Sequence, residues 1–107
     1  MRETSWAGVT FMVLGRHDTE RVRAPGLYVF VARDGARSTM LFAGEAQDIA
    51  REVGPHHPEW TRALTLGFNE VHVCLGAAER IDRLQLLSRI VRAEAPGLDV
   101  EVARAAS

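Results

Sequence analysis

The segment Leu27–Ala32 (LYVFVA) constrains the fold more than any other part of the chain. Its residues are apolar whichever way they point, and β-branched and aromatic types dominate. A strand of this kind is central and needs a covering layer on each face. Pro25-Gly26 punctuates its start and Asp34-Gly35 marks a hairpin after it. Thr39–Ala43 (TMLFA) supplies the returning strand. Val9–Leu14 (VTFMVL) reads as an earlier strand, followed by an exposed charged loop over His17–Arg23. Asn69–Leu75 (NEVHVCL) alternates as a further core strand, with Val71, Val73 and Leu75 on one face.

Helical periods fill the gaps. Ala46, Ile49, Ala50 and Val53 fall at i, i+3, i+4 and i+7, which predicts a short helix stopped by Gly54-Pro55. Pro58 opens a second, with Trp60, Ala63 and Leu64 inward and Gly67 as its stop. Ala77–Ala95 is the longest, with Ile81, Leu84, Leu87, Ile90 and Val91 inward until Pro96-Gly97 ends it. The tail, Leu98–Val102, is expected as a short edge strand or an irregular segment. The expected fold is α/β: a small three-stranded antiparallel sheet, open to extension by the N-terminal strand, flanked by helices.

Composition bounds this reading. A chain of 107 residues with 47% hydrophobic residues suits one domain (1–107) with a single core. The formal net charge of −1 argues against a strongly basic nucleic-acid module. All 13 basic residues are arginine, which removes lysine-based chemistry such as a Schiff base or a P-loop lysine. Cys74 is the lone cysteine, so neither an internal disulfide nor a multi-cysteine zinc site can form. No apolar run reaches the ~18 residues of a membrane helix. The opening MRETSWAG lacks the basic-then-apolar order of a signal peptide, and a reducing cytoplasm is the expected location.

Three fragments then carry a resemblance: Gly26-Leu27-Tyr28, Phe42-Ala43-Gly44, and the closing helix whose Pro96 precedes Leu98-Asp99. In order and spacing, over a core of about 25–99, they resemble the GIY-YIG nuclease superfamily. The resemblance implies a site in which a first tyrosine helps activate water and a second assists it. A helix arginine binds the phosphate there, and a glutamate on the long helix holds a divalent metal. Carried over by position, the first tyrosine is Tyr28 and the second is Phe42, which has no hydroxyl. The arginine position holds Glu52, the metal glutamate position holds Leu87, and the late asparagine position holds Asp99.

The residues themselves weigh against cleavage. Glu45, Asp48 and Glu52 share one face of the expected helix at i, i+3 and i+7, a negative stripe where phosphate would approach. An ordinary solvated helix face is the plainer reading, and these three are the candidate metal ligands only if catalysis persists. Leu87 sits mid-arc among Leu84, Ile90 and Val91 and is expected in the core. A hairpin loop of Asp34–Ala36 sets Tyr28 directly opposite Phe42 as an aromatic packing pair.

Arg51, His57 and Trp60 are the candidate binding residues, although exposed or capping side chains are the plainer and better reading of His56-His57. His72 is expected on the opposite strand face from Val71, and Cys74 as a small half-buried residue. Glu79 and Arg83 are spaced to pair at i, i+4. The leading expectation is a GIY-YIG-like binding or regulatory module that has lost nuclease activity. The alternatives are a diverged metal-dependent DNA endonuclease and an oligomerising structural protein. No cofactor is expected, Mg²⁺ or Mn²⁺ entering only with the endonuclease. Nucleic acid is a partner by resemblance alone, a homo-oligomer is an alternative partner, and a membrane is not expected.

Overall fold

The computed structural model describes residues 2–96. Five strands form one antiparallel sheet: β1 (Glu3–Trp6), β2 (Val9–Gly15), β3 (Gly26–Asp34), β4 (Arg37–Ala46) and β5 (Glu70–Leu75). Their spatial order is β1-β2-β5-β3-β4. The helices are α1 (Ile49–Glu52), α2 (Trp60–Thr65) and α3 (Arg80–Glu94). The sheet therefore has five strands where three, open to extension by the N-terminal strand, were expected. Val9–Leu14 is that extension and joins through β5, while Glu3–Trp6 adds an edge strand that its sequence does not announce. That strand buries only Trp6, so it shows no alternating pattern to read. The tail Leu98–Val102, like Asp99, lies outside the described residues.

The both-faces-apolar strand is β3, and it is central, paired with β5 on one side and β4 on the other. Tyr28 and Phe30 point to one face, against Ile49 and Val53, and Trp60 and Ala63 of α2. Leu27, Val29 and Val31 point to the other, against Leu87, Ile90 and Val91 of α3. Each apolar residue of β3 thus buries its side chain under a helical layer, a gain of roughly 1.5–3 kcal/mol for each large one.

The β3–β4 hairpin turns through Gly35-Ala36, pairing Asp34 with Arg37. Gly35 has φ +63°, as the first central position of a type II′ turn requires. The ladder shifts register between Phe30 and Val31. Val31 pairs with Met40 and Phe30 with Phe42, which leaves Leu41 as the extra residue of a bulge. The loop is two residues and not the expected three, Asp34–Ala36, and this and the bulge each move the register by one: Phe42 lies opposite Phe30, and Gly44 opposite Tyr28. Tyr28 and Phe42 remain on one face as diagonal neighbours, with ring centroids 6.1 Å apart.

Two helix expectations change. Ala46 ends β4, so the first helix is one turn and not the eight-residue stripe its spacing suggests. In α3 the inward stripe is Arg83, Leu87, Ile90 and Val91, while Ile81 is 61% exposed. Leu64 and Leu75, expected inside, are also exposed.

Arg83 is the largest fully buried side chain. Its Nε donates to Glu45 Oε2 at 2.9 Å and Nη2 to Gln47 Oε1 at 3.0 Å. Nη1 donates to the Ala77 and Ala78 carbonyls at 3.2 and 2.6 Å. The guanidinium thus ties the start of α3 to the end of β4. Glu45 takes the place expected for Glu79, because it arrives from β4 on the α3 side of the sheet. No helix among the described residues is long and apolar enough to cross a membrane.

Candidate functional site

On the α1–α2 face a hydrogen bond joins two side chains, Tyr28 Oη and His57 Nε2, at 2.7 Å. Strand β3 delivers Tyr28, and the turn between α1 and α2 delivers His57. The tyrosine ring is buried and packs against Phe30 and Phe42. His57 stands edge-on to the same three rings, with centroids 4.9–5.5 Å away. Gly44 makes room for this arrangement. A Cβ there would stand 2.6 Å from both Cζ and Oη of Tyr28, well inside van der Waals contact.

The backbone sets the tautomer. Glu59 N–H donates to His57 Nδ1 at 3.0 Å, so a neutral ring carries its proton on Nε2. Nε2–H therefore donates to Tyr28 Oη, and the phenol keeps its own proton as a donor. Burial, and then the adjacent His56, lower the His57 pKa to about 4, so the ring is neutral at pH 7. Burial, and then the carboxylates of Glu52, Glu45 and Glu59, push the Tyr28 phenol well above its ordinary value. Tyr28 at this site stays a neutral phenol at pH 7, a hydrogen-bond donor whose basic phenolate form is not populated.

The other sequence-derived residues do not converge on it. Glu45 is a strand residue on the opposite face, where Arg80 Nε lies 3.1 Å from Oε1. Glu52 turns back along its own helix, its Oε2 accepting Gln47 N–H at 2.9 Å and Asp48 N–H at 3.4 Å. Asp48 is the N-cap residue of α1. The expected carboxylate face therefore does not exist: Glu45 serves α3, Asp48 stands at the N-cap position without a side-chain cap bond, and Glu52, the last residue of α1, accepts the N–H groups that precede it. Among the described residues, no group of three His, Cys, Asp or Glu side chains could hold a metal ion.

Leu87 is 1% exposed and packs with Ile90 and Val91, as its place on the helical wheel implies. Arg51 is exposed on α1. Trp60, a binding candidate from sequence, is instead a core residue, edge-on to Phe30 and Phe68 at 5.9 and 4.9 Å. His56 does cap, its Nε2 donating to the Arg51 carbonyl at 2.8 Å. The Tyr28–His57 pair itself escapes sequence reading, since the partners are 29 positions apart. The one signal was His57 preceding a helix whose first residue faces the core. No protein-family model, curated protein or solved structure matches this chain.

Proposed function

We propose that this chain is a GIY-YIG-like domain that binds a partner in a reducing cytoplasm without cleaving phosphodiester bonds. The observation that carries the reading is Leu87. It stands where the resemblance puts a metal-holding carboxylate, and it is sealed under the sheet. Hydrolysis of this type needs a hard cation on oxygen ligands and positive charge over the phosphate. Of the carboxylates that could have substituted, Glu45, Asp48 and Glu52, the first is engaged by Arg80 and Arg83 and the last by the start of α1, which leaves Asp48 without companions to hold a cation. Glu52 also sets a negative charge where the resemblance expects an arginine.

Tyr28 supports the same conclusion. Its raised pKa keeps the phenol protonated, so the hydroxyl can donate a hydrogen bond while no phenolate is present to take a proton from water. The retained tyrosine, held by His57, is also what keeps a diverged metal-dependent endonuclease as the second reading. Supercoiled and linear duplex DNA incubated with purified protein and Mg²⁺ or Mn²⁺ separates the two. The binding-module reading expects intact DNA in every lane. Cleavage that disappears in Tyr28→Phe establishes the endonuclease. Where DNA is bound without cleavage, affinity should fall steeply with added salt.

A further inference from the structure

A second polar cluster lies on the other face of the sheet, away from Tyr28. His72 is fully buried in β5. Trp6 Nε1–H donates to His72 Nδ1 at 3.0 Å, the two rings lying 5.9 Å apart at a 39° tilt. The other nitrogen, Nε2, lies 3.0 Å from Glu70 Oε1. With Nδ1 accepting from the indole, the neutral ring holds its proton on Nε2 and donates it to the carboxylate. Trp6 is the one buried residue of β1, which sits at the sheet margin and pairs only with β2.

We propose that β1 is an acid-releasable edge strand, latched to the sheet by the Trp6–His72 hydrogen bond, which exists only while the imidazole is neutral. Protonating His72 places a hydrogen on Nδ1, and two donors then face each other at 3.0 Å. The indole N–H, buried and without its acceptor, costs the strand its anchor. The imidazolium meanwhile keeps its partner in Glu70, so the new charge is satisfied on the β5 side and the loss falls on β1.

The surrounding charges set the direction. Burial disfavours the imidazolium most, Glu70 on the same strand favours it, and Arg2 and Arg33 oppose it. The outcome is a pKa below the ordinary 6.5. Arg2 precedes β1 and binds Glu70, while Arg33 on β3 brings Nε to 3.9 Å from the same carboxylate. Cys74 is the next β5 residue on this face. From β2 the residue paired with His72 is the uncharged Val13. From α3, Glu94 reaches the β1–β2 hairpin, its Oε1 accepting Ala7 N–H at 2.9 Å. The latch is closed above the ordinary histidine range and opens as pH falls through the lowered value. Opening bares the outer edge of β2. The inference is independent of the binding reading.

The test is a pH titration of the ¹⁵N-labelled full chain by NMR, from about pH 8 to about pH 4. It follows the Trp6 and Trp60 indole N–H resonances, the His72 ring, and amide exchange in the β1–β2 and β3–β5 ladders. The Trp6 resonance should move with the His72 midpoint, below 6.5. Exchange in the β1–β2 ladder should quicken roughly tenfold over its intrinsic rate, with the β3–β5 ladder unchanged. In Trp6→Phe the His72 midpoint should rise, because the neutral ring loses its donor. A Trp6 resonance that stays still while His72 titrates overturns the proposal, as does an unchanged midpoint in Trp6→Phe. If that variant does not fold, coincidence of the two midpoints in the native chain decides.

Discussion

Gly44 lies directly across the β3–β4 ladder from Tyr28, and the phenol ring occupies the space in which a side chain at position 44 would begin. The two residues that resemble the hallmark motifs of a nuclease family are thus one packing unit. A glycine on one strand accepts an aromatic ring from the next, and the ring's hydroxyl reaches His57.

Gly44→Ala should therefore be costly out of proportion to one methyl group. The added carbon meets the ring atoms of Tyr28, which are held by Phe30, Phe42 and His57 and cannot withdraw freely. Overpacking of this kind costs about 1–3 kcal/mol. Urea unfolding should show the loss. Gly44→Ala in a Tyr28→Leu background should recover much of it, since the ring is the obstacle.

The His57 pKa makes stability depend on pH with a definite sign. Folded His57 titrates near about 4 and unfolded histidine near 6.5. Between those values the unfolded chain binds the proton and the folded chain does not, so stability falls as pH falls through that window. Below about 4 both forms are protonated and this contribution stops changing. Thermal midpoints measured from pH 7 down to pH 4 should drop, and His57→Gln should flatten the slope. The remaining slope should belong to His72, whose pKa burial lowers in the same direction, and at the acid end to Glu70, whose carboxyl is held below its ordinary value, against burial, by His72 and Arg2.

Arg83→Met should destabilise the fold by about 3 kcal/mol, the lower end for breaking a buried ion pair, because Arg80 stays beside Glu45. Arg83→Lys should not restore it. An ammonium cannot reach Glu45, Gln47 and two carbonyls from one planar fork. Denaturant melts of both variants, alongside Glu45→Gln, check the ordering.

Much of the sheet was legible because period-2 burial leaves a direct trace. The apolar faces of β3 predict a central strand, and β3 is flanked on both sides. The misreadings have physical causes. The stripe from Ala46 to Val53 fits a helix, yet the strand pairing of Ala46 with Gly26 outcompetes its first turn. The bulge at Leu41 adds one residue to β4, which no local pattern in TMLFA reveals. Burial of Arg83 depends on Glu45, 38 positions earlier, and a helical wheel weighs only the helix's own residues. Leu87 was readable for the opposite reason, since its neighbours along α3 alone define its environment.

The claim that the nuclease chemistry has been replaced by packing is tested most directly with Mn²⁺ as a paramagnetic probe. Titrating it into ¹⁵N-labelled protein, with and without duplex DNA, reports any ion held near Tyr28, Gly44 or His57 as local broadening of their signals. The account predicts no broadening there beyond that of the exposed surface, and no DNA cleavage in the same tube. Selective, saturable broadening at Tyr28 and Gly44 accompanied by cleavage would contradict it.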